Sequence, residues 1–166
     1  DRLAISIVDT RQGITVLSYV AGASEIDRRK PGEPAPLQGS LAGAVVRKRS
    51  PATLHHATRV QVERELPALL DAFDAGYRSY LTVPLVHGDE VVAVLEMRAR
   101  EPESYTYRHS MMAERVGNQI AGAIANALLY AERKRSEVAV REAEQKYRTL
   151  VENANDSIVV ISGGEA

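Results

Sequence analysis

The chain has 166 residues, room for one domain with a sizeable core plus an appendage, and 45% hydrophobic with 26% charged residues is ordinary globular composition. With 21 Lys and Arg against 22 Asp and Glu, neither sign dominates, which speaks against a nucleic-acid partner. Cysteine is absent, which removes disulfides, thiolate metal sites, cysteine nucleophiles and thioether-linked chromophores, and fits a reducing cytoplasm.

No apolar run reaches bilayer length and no secretory signal opens the chain, so no direct membrane contact is expected. The first residue, Asp1, is not Met, which suits a fragment of a longer protein. Arg2 to Val8 and Ile14 to Val20 are β-rich, and the turn from Asp9 to Gly13 joins them as an antiparallel hairpin. Ala21 to Gln38, rich in Gly, Pro and charge, reads as a loop. Ser40 is an N-cap for a short helix that Pro51 stops. Ala52 to His56 is a weak strand, and Glu65 to Phe73 a helix with Pro67 near its start, ended by Gly76.

Two strands follow, Arg78 to Val86 and Val91 to Met97, joined by the turn His87–Glu90. Both are apolar on both faces, so the sheet should be covered on both sides. From about Thr106 the pattern is helical for more than forty residues, far beyond an ordinary globular helix. Its first half carries a stripe of Met112, Val116, Ile120, Ala123, Ile124, Ala127 and Leu128. Its second half has Val140, Ala143, Tyr147 and Leu150 at heptad steps, with a poor seam between Ala131 and Val140. Glu137 with Arg141, Glu142 with Lys146 and Glu144 with Arg148 stand four apart, each pair expected to support the helix by ~0.2–0.5 kcal/mol. A narrow stripe needs a partner, and the expectation is a homodimer through Val116, Ile120, Ile124, Ala127, Leu128, Val140, Ala143, Tyr147 and Leu150; folding back on the chain's own domain is the alternative.

The segment Arg78 to Val86, a Gly-containing turn, and Val91 to Met97 resemble the central hairpin of GAF domains, with Ala93 where the family usually has Gly. Tyr105-Thr106 and the run from Val116 to Tyr130 are similar to the closing GAF helix, and Pro36 to Gly43 to the family's loop and short helix. The resemblance implies an α+β, PAS-related fold: an antiparallel sheet of about five or six strands flanked by helices, with a ligand cavity on one face and a long C-terminal coiled-coil helix. It assigns 1–130 to a GAF domain with its N-terminal helix missing and 131–150 to a signalling helix. Tyr147 to Ile161 resembles the entrance to a PAS domain, its first helix and the beginning of a strand, so 151–166 would start a truncated PAS domain, poorly ordered or paired elsewhere from Asp156 on.

This order of domains resembles bacterial sensor histidine kinases and cyclic-di-nucleotide signalling proteins, with any catalytic output domain outside this chain. The implied function is a cytoplasmic sensory module that binds an unidentified small molecule and relays a signal through a dimeric helix. A dimerisation or spacer module without ligand is the alternative, and a small enzyme using His55 or His56 a third reading. Cyclic-nucleotide-binding GAF domains carry an Asn-Lys-x-x-x-Phe-x-x-x-Asp-Glu signature that this chain lacks. Covalent bilin attachment and the GAF enzyme that reduces free methionine sulfoxide both require cysteine. Candidate pocket residues are Tyr19, His55, Arg78 and Tyr80; no catalytic or metal-ligating set is expected, since no ligands cluster at metal spacing. His87 and His109 read as solvated, Asp71, Asp74, Asp89 and Glu90 as solvated caps or turn residues, and Arg47-Lys48-Arg49 as a solvated helix end.

Overall fold

A computed structural model describes residues 1–22, 29–55 and 57–159, with side chains described as far as Asn153. The fold is an antiparallel six-stranded sheet in the order β3-β2-β1-β6-β5-β4. Strand β1 (Arg2–Asp9) and β2 (Ile14–Gly22) form the expected hairpin, with Asp9 opposite Ile14. Asp9 Oδ1 accepts the Gln12 amide at 3.0 Å, and Gly13 takes the positive φ of 68° that closes the turn. β3 (Pro34–Pro36) lies inside the stretch read as loop. Its two prolines donate no hydrogen bonds, which an edge strand tolerates and a central strand does not.

Helix α1 (Leu41–Lys48) starts where Ser40 predicts: the Ser40 hydroxyl accepts the Gly43 amide at 3.0 Å. β4 (Ala52–Leu54) pairs with β5 (Ser79–His87), confirming the weak strand as far as Leu54; His56 lies outside the described residues. The single helix expected over Glu65 to Phe73 is corrected to three pieces: α2 (Arg59–Glu65), a 3-10 turn (Pro67–Leu69) and α3 (Leu70–Asp74). Pro67 cannot accept a place in a helix interior and instead opens the tighter turn. The missed start of α2 is a capping box, in which Thr58 accepts the Gln61 amide and Gln61 reaches back to the Thr58 amide.

β5 and β6 (Glu90–Ala99) form a hairpin closed by Gly88 and Asp89, with His87 opposite Glu90 and Gly88 at φ 60°. Both faces of this hairpin are covered, as its composition requires. On one face Leu81, Val83, Leu85, Ala93 and Leu95 pack against Ala113 and Ala121 of α4 (Tyr107–Val159). On the other, Leu41, Val62, Leu69 and Ala72 of the short helices close around Tyr77 and Tyr80, with Ala42 and Val45 against Val91 and Val94 beside them.

Residues in α4 divide differently from the sequence stripe. Ala113, Gly117, Ala121 and Ala125 are the buried positions, with Ile120 and Ile124 at their border. Met112 and Val116 are exposed, as are Ala123, Ala127 and Leu128. The small residues face the sheet because β5 and β6 already present large side chains there.

The chain separates into two compact units, Asp1–Ala125 and Asn126–Ala166. In the second, every side chain from Asn126 to Asn153 is exposed, Val140, Tyr147 and Leu150 among them. Glu137, expected to pair with Arg141, meets Arg133 at 3.0 Å. Side chains this exposed gain little from either choice. The helix runs through Val159, so the strand expected from Asp156 is not begun by that residue; Val160 onward lies outside the described residues. Among the described residues no helix is long and apolar enough to cross a membrane.

Candidate functional site

Between the sheet and the short helices lies a cavity of about 730 Å³. Thr15 of β2, Ala35 and Pro36 of β3, and Glu96 and Arg98 of β6 line it from the sheet side. Ser40, Leu41 and Ala42 at the start of α1 line it too, with Ala68 and Leu69 of the 3-10 turn and Asp71, Ala72, Asp74 and Ala75 at α3. Arg29 and Glu33 complete the lining. The seat of α1 depends on Gly43, where a β-carbon would overlap the Leu37 carbonyl oxygen.

The sheet contribution follows from period-two alternation. Arg2, Ala4 and Ser6 of β1 are buried on the face opposite Leu3, Ile5 and Ile7. Cross-strand pairing sets Arg2 opposite Arg98 and Ala4 opposite Glu96. Arg98 in turn stands opposite Tyr80 and Glu96 opposite Thr82. Ser6 donates to Glu96 Oε2 at 3.3 Å, and Arg98 Nη2 lies 3.6 Å from Glu96 Oε1. Burial lowers the pKa of Arg2, with Arg98 acting in the same direction and Glu96 opposing it. Arg29 is lowered likewise, first by burial, with Glu96 and Glu33 raising it and Arg98 lowering it. An arginine stays charged through such shifts. Arg29, Glu96 and Arg98 thus line the cavity together, and Arg2 stands beside Arg98 on the same face of the sheet.

The rim is acidic but wet. Asp74 is held below the usual carboxylate range by its hydrogen bond to Arg59, at 3.1 Å. Glu33 accepts the Lys30 amide at 2.9 Å, and Asp71 is exposed. Among the described residues no three of His, Asp and Glu converge at metal-binding distance.

None of the four residues singled out from the sequence is among those lining the cavity. Tyr19 is exposed on β2. His55 Nδ1 meets the Ser79 hydroxyl at 2.9 Å. Arg78 bonds the Phe73 and Tyr77 carbonyl oxygens and stacks 4.2 Å above the Phe73 ring. Tyr80 is buried and donates to the Tyr77 carbonyl at 3.0 Å; burial pushes its phenol up to about 12. Sequence reasoning missed Arg29, Glu96 and Arg98. The available signal was charge on a strand whose two faces are both covered, since such groups must find polar company indoors.

The sheet order and the helices on both faces define a small α+β domain with a cavity between its sheet and its short helices. The family model for the GAF domain matches residues 3–125, and the chain belongs to that family. The GAF domain of a two-component sensor histidine kinase from Bacillus halodurans superposes with a TM-score of 0.64 at 17% identity, over 79% of this chain and 85% of that one. The GAF domain of an Acinetobacter phosphoenolpyruvate-protein phosphotransferase gives 0.63 at 20% identity, over 80% and 75%. A type II free methionine-R-sulfoxide reductase from Thermoplasma acidophilum gives 0.58 at 12% identity, over 76% and 79%. At these identities the likeness is one of fold. No curated protein gives a significant match.

Proposed function

We propose that this GAF domain is a regulatory receptor for a small molecule in cytoplasmic bacterial signal transduction. Occupancy of the cavity would bias helix α4, which pairs with a second copy and relays the bias to a following PAS domain and output domains. The observation that supports the reading is the cavity itself. Its volume falls in the range that holds small ligands, about 300–1,000 Å³, and it combines an apolar lining with a few buried charges. The ligand acts only through a difference in affinity between the two states of the domain.

A dimerisation or spacer role is the second reading, favoured by the exposed Val140, Tyr147 and Leu150 whether or not a ligand binds. An enzyme is the third. The fold is shared with methionine-R-sulfoxide reductases, but this chain has no cysteine, and His55 is engaged by Ser79.

Mass spectrometry of purified protein under native and denaturing conditions tests the receptor reading. The expected result is a small molecule released on denaturation and absent from an Ala75→Trp variant, which narrows the cavity. A protein that retains nothing and binds nothing is a spacer.

A further inference from the structure

A hydroxyl inside the cavity narrows the class of ligand. Thr15 lines the cavity from β2 and is buried, with only 3% of its surface exposed. Its hydroxyl makes no hydrogen bond among the described residues, and its oxygen is not enclosed by protein atoms. Thr15 stands opposite Val8 on β1 and Ala35 on β3, and neither side chain offers a donor or an acceptor. Other hydroxyls around this core are engaged: Ser6 donates to Glu96, Ser40 to the Leu37 carbonyl and Tyr80 to the Tyr77 carbonyl. A buried hydroxyl without a partner is costly, and valine would fill the same shape without that cost. The charged pair of the sheet is not at hand. Glu96 stands opposite Ala4, four residues along β1 from Val8, which places the Arg98–Glu96 pair roughly 13 Å away along the strand. From the other wall the short helices supply Ala42, Ala68, Ala72 and Ala75, whose side chains cannot hydrogen-bond.

We infer that Thr15 is a specificity-determining residue of the cavity, its hydroxyl hydrogen-bonding an uncharged polar group (a hydroxyl, carbonyl or amide) on a ligand with an apolar body. A hydroxyl both donates and accepts, so it serves any of these groups. A charged group at that point would be buried with no countercharge opposite it on either neighbouring strand. The inference rests on the reading of the cavity as a ligand site and adds the residue that recognises the ligand and the chemical group it recognises.

The test compares Thr15→Val, which removes the hydroxyl, with Thr15→Ser, which keeps it. Thr82→Val is the control, since Thr82 is equally buried, makes no hydrogen bond among the described residues and does not line the cavity. Thr15→Val should raise the Tm of the ligand-free protein by about 2–4 °C, because a lone buried hydroxyl is gone, so a loss of binding cannot be put down to a loss of fold. Binding is read by two-dimensional NMR titration with five probes that share one ring: benzamide, benzyl alcohol, toluene, benzoate and benzylammonium. Benzamide or benzyl alcohol is expected to bind saturably and about fivefold more tightly than the other three, the contribution of one neutral hydrogen bond. Thr15→Val should abolish that preference and cut retention of the co-purifying molecule, while Thr15→Ser and Thr82→Val preserve both. Toluene or a charged probe binding as tightly as the two polar ones, or a preference or retention unchanged in Thr15→Val, overturns the inference and leaves the receptor reading intact. If no probe binds and nothing is retained on purification, the receptor reading fails and the inference with it.

Discussion

Gly43 is the position where one added methyl group does the most harm. Its β-carbon would meet the backbone of Leu37, which has no rotamer by which to move aside. Gly43→Ala should destabilise the domain by about 2 kcal/mol or more through overpacking, read from urea unfolding. Tyr80 gives a prediction in pH. Burial raises its phenol to about 12, above the ordinary value of 10, so the unfolded chain releases that proton first. The folded state binds more protons between those values, and stability falls as pH rises through the window. Tyr80→Phe should cost about 1 kcal/mol near neutrality for the lost bond to Tyr77 and make the alkaline fall shallower. Tyr105, also raised by burial, keeps part of the fall. At this scale the site was poorly legible in the sequence. A charged residue in a strand reads as solvent-facing, and only the cover supplied by distant helices turns Glu96 and Arg98 inward. Arg29 sits at the end of a segment whose composition said no more than loop.

Strands were legible because hydrophobic alternation is local: the β1–β2 and β5–β6 hairpins lie where the sequence places them. Helix α1 was legible from its cap. α2 and β3 were not, since one rests on a Thr58–Gln61 pair and the other on two prolines that read as breakers. The stripe on α4 was misjudged for a third reason. Hydrophobic size marks a buried face only when the opposing surface has room, and here Leu81, Val83 and Leu85 fill it. The structure therefore predicts an inversion of the usual expectation. Ala121→Leu, at a fully buried position, should cost about 1–3 kcal/mol. Ala123→Leu, two residues away and exposed, should stay within about 0.5 kcal/mol. Thermal unfolding of the two variants under one buffer distinguishes them.

The second unit, from Asn126, presents apolar side chains with no cover within its own chain among the described residues. Under the proposed function they are the seam of a homodimer. Val140→Asp together with Leu150→Asp should then shift the protein to monomer, with the unfolding transition of the first unit unchanged. Sedimentation velocity combined with circular dichroism reads both. Coupling between cavity and helix pairing is the central claim, and by linkage it must appear in the association constant. The direct measurement is the dimer dissociation constant by sedimentation equilibrium, with and without a saturating concentration of the small molecule that the purified protein retains. A shift of about fivefold or more, in either direction, is the predicted result. Identical constants in the presence of a fully occupied cavity would contradict the account.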